Sequence, residues 1–257
     1  MAVSNEHFVG EALRLVKEGE QRGLRLRILG SLAYRLHCPE NLELFDKMER
    51  DLTDIDFAVE MSQVKKIRDF LVEQGYVEDP KITMATEGMR YYLEHPETGL
   101  GVDLFVDELY FCHRIPFEGR LELDQPTIPT VDLLLEKMQI VEINLKDIKD
   151  TMVLLLEHDL HAQRNGSETI DLGYLTSLLR DDWGFYYTVT QNLEKTKRFL
   201  PQFDQLSGEQ KALIERRIDE VLEAIEEAPK SRKWKLRAKV GTKKRWYQEV
   251  AAKDSGF

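Results

Sequence analysis

The spacing of apolar side chains changes along this chain, from short runs in the first half to long helical repeats in the second. Apolar positions recur every three or four residues over residues 5–22 and 63–74, which predicts two helices. Short apolar runs bounded by glycine and charged residues predict strands. The predicted strands cover residues 24–29, 54–59, 76–78, 82–85, 89–94, 101–106, 111–115 and 120–123. Residues 40–52 are predicted to be a polar connection, and Arg25 and Arg27 are expected to point outward from the first strand.

After Pro126 and Pro129 the apolar spacing is helical throughout. The predicted helices cover residues 131–143, 146–158, 171–179, 185–199 and 208–227. We therefore expect an α+β fold, with a mixed sheet and flanking helices at the N-terminus followed by helices. The expected domains are residues 1–126, a helical domain over 127–228, and a basic C-terminal tail over 229–257.

Three aspartates stand out inside the predicted strands. Asp54 and Asp56 are two residues apart, so on a strand their side chains project to one face. Asp103 lies in the apolar run 101–106, where an unpartnered carboxylate would be costly. Adjacent carboxylates repel one another unless a cation lies between them, and hard divalent ions prefer oxygen ligands. The pattern predicts a metal site made by Asp54, Asp56 and Asp103, whereas Asp107 is expected to be a surface or loop residue.

A Gly-Ser pair precedes these aspartates, at the predicted turn from the first strand into a helix. Gly30 permits a close backbone approach, and free backbone N–H groups at a helix start favour a phosphate. Gly30 and Ser31 are therefore candidate nucleotide-binding residues. Gly30 as a turn glycine and Ser31 as a helix cap explain the same pair without any ligand.

The order of Gly30-Ser31, Asp54-x-Asp56 and Asp103 resembles the nucleotidyltransferase superfamily with the polymerase β-like fold. It is most similar to the bacterial branch that includes antibiotic nucleotidyltransferases and toxins of abortive-infection systems. In that second group a helical lysine precedes a Lys-Asp-x-x-Asp segment, and here Lys137 and residues 146–150 are similar.

The resemblance implies an enzyme that moves a nucleoside monophosphate from a nucleoside triphosphate to an acceptor hydroxyl. It implies Mg²⁺ or Mn²⁺ as cofactor, the three aspartates as catalytic metal ligands, and Lys137 as a contact to the triphosphate. The base and the acceptor, whether a small molecule, RNA or a protein, stay open. Two alternatives also stay open: a nucleotide- or RNA-binding module without turnover, and a regulatory partner in which the carboxylates hold a stabilising cation.

The charge is unevenly distributed. The 257 residues carry a net charge of −11, yet residues 230–245 hold nine Lys or Arg and no acidic residue, which leaves −20 for the rest. With Trp234, Trp246 and Tyr247 interleaved, this tail has the composition of a single-stranded RNA contact. Packing of the tail on the acidic body explains the same composition, and we favour that interpretation.

The remaining features indicate an ordinary globular protein. Its 42 % hydrophobic and 32 % charged residues, with no long apolar run, predict a protein without membrane partners. Two cysteines and no signal-peptide pattern favour the cytoplasm. His37-Cys38 and Cys112-His113 lack the spacing of structural zinc sites, so we interpret both cysteines as half-buried. His158 and His161 are expected to serve a helix end.

Overall fold

In the computed structural model the described part of the chain is residues 4–162 and 168–249. Its helices and strands follow in one order along the chain. They are α1 Asn5–Gln21, β1 Arg27–Leu29, α2 Gly30–His37, α3 Leu42–Lys47, β2 Ile55–Val59, α4 Met61–Glu73, β3 Val77–Asp79, α5 Pro80–Ala85, β4 Arg90–Glu94, β5 Gly101–Val106, β6 Glu108–Tyr110, β7 Arg114–Pro116, α6 Thr130–Met138, α7 Leu145–Glu157, β8 Asp159–His161, β9 Thr169–Asp171, α8 Leu172–Leu179, α9 Trp183–Phe199, α10 Gly208–Glu227 and α11 Arg232–Val240. The predicted α+β class, with a mixed sheet and helices, is confirmed.

The chain divides into two compact units. Among the described residues, unit 1 comprises residues 4–36, 51–109 and 115–129, and unit 2 comprises residues 37–50, 110–114, 130–162 and 168–249. The segment 37–50, which precedes strand β2 in the sequence, therefore belongs with the later helices.

Unit 1 is built on a five-stranded sheet in the order β1-β2-β5-β4-β3. Strand β2 pairs in parallel with β5, whereas β1 pairs antiparallel with β2 and β4 antiparallel with β5. The apolar alternation of β2 explains its orientation, because Ile55 and Phe57 are fully buried while Asp56 between them is half-buried. Helix α1 contributes Phe8 and Leu15 to the core of this unit.

Unit 2 is mainly helical. Helix α10 packs against α7, α8 and α9, and α6 packs against α7 and α9. Helix α10 begins with a complete capping box, in which Ser207 and Gln210 satisfy each other's backbone N–H groups. Strands β8 and β9 form a short parallel pair in this unit. No helix within the described residues is long and apolar enough to cross a bilayer.

Several local predictions were wrong for identifiable reasons. Residues 82–85 lie in helix α5, because Asp79 caps its first turn and Pro80 occupies its first position. The predicted polar connection contains α3, whose Leu44 and Phe45 are buried. Residues 120–123 form turns and bends instead of a strand.

Arg27 was also expected to point outward but is buried. Its guanidinium donates to the carbonyl of Leu121 at 2.9 Å and forms an ion pair with Glu20 at 3.0 Å. Burial lowers the pKa of Arg27, an effect that the nearby Glu20 opposes.

Candidate active site

The carboxylates of Asp54, Asp56 and Asp103 converge at the neighbouring strands β2 and β5 of the sheet in unit 1. Asp54 directly precedes β2, Asp56 lies within it, and Asp103 lies opposite Asp56 in the parallel register of β2 and β5. One oxygen from each carboxylate lies within 4.8 Å of the other two. Asp103 is only 3 % exposed, and the other two are half-buried. The structure therefore brings together the three aspartates selected from the sequence.

Asp107, the rival carboxylate at the end of β5, lies outside this group. It is exposed, has a backbone φ of 60°, and accepts a hydrogen bond at 2.8 Å from the backbone N–H of Met61. Its role is to connect the end of β5 to the start of helix α4.

Gly30 lies directly beside Asp56. Leu29 is the register partner of Asp56 in the β1–β2 pair, so the next residue turns from strand β1 into helix α2 beside that carboxylate. Gly30 has a φ of +71°, and a Cβ atom at this position would overlap Oδ2 of Asp56 and lie 3.1 Å from its Cγ. Both the backbone conformation and the lack of space require glycine. The half-buried Ser31 follows in the first turn of α2.

Arg90 is a site residue that the sequence analysis missed. Its Nε donates to Oδ1 of Asp103 at 2.7 Å and its Nη2 to Oδ2 at 3.2 Å, and its guanidinium lies 5.2 Å from the ring centre of Phe105. In the β4–β5 register Tyr92 lies opposite Asp103, so Arg90, two residues away, shares the same face and reaches Asp103 diagonally. The available signal was the position of Arg90 in the predicted strand 89–94, which directly precedes the predicted strand that contains Asp103.

Two hydroxyl groups also lie around the aspartates. The Thr53 hydroxyl donates to Oδ1 of Asp54 at 3.0 Å, and the Tyr92 hydroxyl donates to Glu94 at 3.2 Å. Burial and the hydrogen bond to Glu94 raise the pKa of Tyr92 to about 12, with Asp103 and Asp54 contributing less. Tyr92 therefore stays protonated at neutral pH and acts as a hydrogen-bond donor.

The chemistry of this group suits a hard divalent cation. The three carboxylates and the Arg90 guanidinium carry formal charges that sum to −2, which is the charge that one divalent ion balances. Carboxylate oxygens are the ligands that Mg²⁺ and Mn²⁺ prefer. Because Arg90 holds both oxygens of Asp103, this carboxylate has a fixed orientation, as a metal ligand needs.

Lys137, the predicted triphosphate contact, lies in unit 2 within a buried ionic cluster. Its ammonium is 3.0 Å from Glu136, 3.5 Å from Asp147 and 3.9 Å from Asp150. Burial lowers the pKa of Lys137, but the three carboxylates outweigh burial and raise it above its usual value. Asp147 and Asp150, three residues apart on α7, thus both face Lys137. The contact of Lys137 with a nucleotide stays a prediction.

Arg50 completes this cluster. Its Nε and Nη2 each donate to one oxygen of Asp150 at 2.9 Å, and Asp150 is fully buried. Burial raises the pKa of Asp150, and Arg50 and Lys137 oppose that rise. These contacts link the segment 37–50 to helices α6 and α7 within unit 2.

The basic tail includes a helix, α11, that contains no buried residue. The aromatic side chains of the tail contact other aromatic residues of unit 2. Trp246 meets the rings of Trp183 and Tyr187, and Trp234 meets the ring of Tyr186. Most cationic side chains of the tail are exposed, namely Arg232, Lys233, Lys235, Lys239, Lys243, Lys244 and Arg245. Packing thus accounts for these aromatic residues, while the exposed charge remains a feature of the surface.

Comparison of the chain with protein-family models, with curated proteins and with solved structures finds no match.

Proposed function

We propose that this chain is a metal-dependent nucleotidyltransferase of the polymerase β-like superfamily. The observation that supports the proposal best is the convergence of three carboxylates from β2 and β5 beside the Gly30 turn. A stabilising cation site alone requires the carboxylates but not a helix start beside them, where backbone N–H groups favour an anion. The combination suits a cation together with a phosphate.

The proposed reaction is attack by an acceptor hydroxyl on the α-phosphorus of a nucleoside triphosphate. A new oxygen–phosphorus bond forms, the bond from the α-phosphorus to the bridging oxygen breaks, and pyrophosphate leaves. The proton of the acceptor hydroxyl passes through a site carboxylate to solvent. Bound Mg²⁺ or Mn²⁺ would screen the charge of the phosphate oxygens. Asp54, Asp56 and Asp103 would hold the ion, Gly30 and Ser31 would receive phosphate oxygens, and Arg90 would keep Asp103 oriented.

The candidate acceptors are inferred from the family resemblance alone. Antibiotic hydroxyls, RNA ends and protein hydroxyls all take part in this chemistry, and the second of the resembling groups comprises toxins of abortive-infection systems. Both Cys38 and Cys112 are buried free thiols, which suits the reducing cytoplasm where nucleoside triphosphates are abundant.

A thermal-shift panel tests the donor site. The wild type is heated with each of the four nucleoside triphosphates, with and without Mg²⁺ or Mn²⁺, beside Asp54→Asn/Asp56→Asn. A ligand at one hundred times its dissociation constant adds about 2.7 kcal/mol, which raises Tm by several degrees. We expect a metal-dependent shift that the double variant loses and that Asp107→Asn retains. Equal shifts in the wild type and the double variant would refute the assignment of the site.

Turnover is tested with α-³²P-labelled triphosphates and three acceptor pools: total RNA, an aminoglycoside and the protein itself. Label transfer and pyrophosphate release should occur in the wild type and in Asp107→Asn, and should disappear in Asp54→Asn/Asp56→Asn. Metal-dependent nucleotide binding without transfer to any pool would favour the binding-module alternative.

A second candidate function, RNA binding by the tail, is favoured by the exposed cationic side chains of α11. Single-stranded RNA binding should weaken steeply with salt, and Lys233→Glu/Lys235→Glu should reduce that salt dependence. Lys65→Glu/Lys66→Glu makes the same charge change on the exposed face of α4 and serves as the control. Equal losses in the two double variants would show a general charge effect instead of a tail site.

A further inference from the structure

Unit 2 contains a second group of metal-ligating side chains that neither the resemblance nor the proposed reaction uses. It consists of His37, His158 and Glu168, each of which offers one ligand atom within 4.8 Å of the other two. Together with the three aspartates of unit 1, it is one of two such groups among the described residues.

Three separate elements deliver these side chains. His37 is the last residue of α2, and His158 is the residue that ends α7. In the parallel register of β8 and β9, Asp159 lies opposite Thr169, so the residues that precede them, His158 and Glu168, are neighbours. The Nδ1 atom of His158 lies 3.0 Å from the backbone carbonyl oxygen of Glu168, which holds the two segments together.

The Glu168 carboxylate lies between the two imidazoles. Its Oε2 is 3.3 Å from Nδ1 of His37 and 3.5 Å from Nδ1 of His158. The two rings meet edge to face, with centres 5.8 Å apart. Both histidines are buried, whereas the Glu168 side chain is 63 % exposed. An ion can therefore reach the group from solvent on the side of Glu168.

The surroundings of His158 are mostly buried, and burial lowers the pKa of this histidine. Sγ of Cys38 lies 3.9 Å from Nε2, the other ring nitrogen of His158. Cys38 is fully buried, and burial raises the pKa of its thiol well above the usual value.

We propose that His37, His158 and Glu168 form a binding site for a divalent transition-metal ion, with Zn²⁺ as the first expectation. Two imidazole nitrogens and one carboxylate oxygen are a recurrent zinc ligand set that leaves a fourth position for water. The mixed nitrogen and oxygen donors favour Zn²⁺ over Mg²⁺, whereas the three carboxylates of unit 1 favour Mg²⁺.

Binding requires one change of tautomer. The ion takes the lone pair of Nδ1 of His158, so the proton carried by that ring moves to Nε2, where Sγ of Cys38 can accept its hydrogen bond. The Nδ1 contact to the Glu168 carbonyl is then given up. Within unit 2, the bound ion would connect His37 to the end of α7 and to Glu168, which directly precedes β9.

The experiment uses untagged full-length protein carrying Asp54→Asn/Asp56→Asn, so that the carboxylates of unit 1 do not contribute. After treatment with a chelator, Zn²⁺ binding is measured by competition with a chromogenic zinc indicator, and Co²⁺ is added to record its visible absorption bands. We compare this background with additional His37→Ala or Glu168→Gln. His161→Ala, a half-buried histidine of β8 outside the group, is the control.

We expect one Zn²⁺ per chain in the background and in the His161→Ala control, and tetrahedral Co²⁺ bands in both. Loss of an outer-shell partner typically lowers metal affinity 10–100-fold, so loss of a ligand should cost at least about tenfold. Glu168 is exposed, so Glu168→Gln should fold and keep the test valid if a histidine variant does not. Absence of stoichiometric binding in the background, or equal affinity in Glu168→Gln and His161→Ala, would overturn the proposal.

Discussion

Oδ2 of Asp56 occupies the space that a side chain on Gly30 would need. The same glycine has a φ of +71°, a conformation that costs an L residue about 1–2 kcal/mol. The backbone turn into α2 and the position of a candidate metal ligand thus depend on one residue.

Gly30→Ala should therefore have two effects. The φ penalty should lower the free energy of unfolding by about 1–2 kcal/mol, and the added methyl group should displace Asp56 and abolish metal-dependent stabilisation by nucleotide. Chemical unfolding and the thermal-shift panel measure the two effects separately.

Gly23→Ala is the matched control for this prediction. Gly23 has a φ of +72°, and a Cβ there meets nothing within 4 Å. The control should lose a similar amount of stability but retain nucleotide stabilisation. If both variants retain it, Gly30 does not position the site.

Arg90→Gln should destabilise the protein because Asp103, 3 % exposed, loses its bidentate partner. Removing one partner of a buried ion pair costs about 3–5 kcal/mol, and the partial exposure of Arg90 places the expected loss near the lower value of about 3 kcal/mol. Urea unfolding with EDTA measures this loss, and added Mg²⁺ should reduce it, since the ion would balance part of the carboxylate charge.

A double-mutant cycle with Asp103→Asn checks that the loss arises from this pair. The double variant should be more stable than the sum of the two single losses predicts. Strictly additive losses would mean that Arg90 stabilises the sheet through contacts other than Asp103, such as its contact with Phe105.

Asp150→Asn should be among the most destabilising single changes in unit 2. It leaves the buried Arg50 guanidinium without its bidentate acceptor and removes one of the carboxylates around Lys137, at an expected cost of about 3–5 kcal/mol. Glu142 is an exposed carboxylate between α6 and α7, and Glu142→Gln should change stability by no more than about 0.5 kcal/mol. Similar small changes in both variants would contradict the structural role of the cluster.

Lys137→Met separates the ionic cluster from the predicted nucleotide contact. We expect a loss of stability because Glu136, Asp147 and Asp150 lose their shared cation. Nucleotide affinity is measured below the unfolding temperature of the variant. A lost hydrogen bond to a charged phosphate would lower that affinity about tenfold or more, whereas unchanged affinity would refute the nucleotide contact.

The stability of the protein should fall on acidification partly through His113. Its Nε2 lies 2.8 Å from the Thr188 hydroxyl, its ring stacks on Phe185, and burial lowers its pKa to about 4. In the unfolded chain a histidine has a pKa near 6.5, so between about pH 6.5 and 4 the unfolded state binds a proton that the folded state does not. Stability is therefore complete above this range and decreases through it.

The expected contribution of His113 is a loss of about 2 kcal/mol between pH 7 and pH 5. His113→Gln should flatten the pH dependence of the unfolding free energy by that amount. An unchanged pH slope in His113→Gln would show that His113 binds its proton equally in the folded and unfolded states.

The sequence alone determined the α+β class and the placement of the three aspartates on apolar strands. Alternation with period two placed Asp54 and Asp56 on one face, and an apolar run of six residues marked β5 around Asp103. These are local properties, since side-chain direction along a strand follows from the backbone geometry of the strand itself.

The sequence contains local capping and helix signals for the two short helices α3 and α5. Asp79-Pro80 begins α5, and the buried Leu44 and Phe45 belong to α3. In both places a short helix competes with a strand or a loop of similar composition, and packing decides between them.

Only the tertiary structure decided which distant residues meet. The β4–β5 register brings Arg90 to Asp103, the fold of unit 2 surrounds Lys137 with carboxylates, and His37 meets His158 across 120 intervening positions. His37-Cys38 and Cys112-His113 look alike in the sequence, but His37 meets Glu168 whereas His113 meets Thr188. Register and helix packing depend on the total burial of many apolar side chains, and no local pattern in the chain specifies that sum.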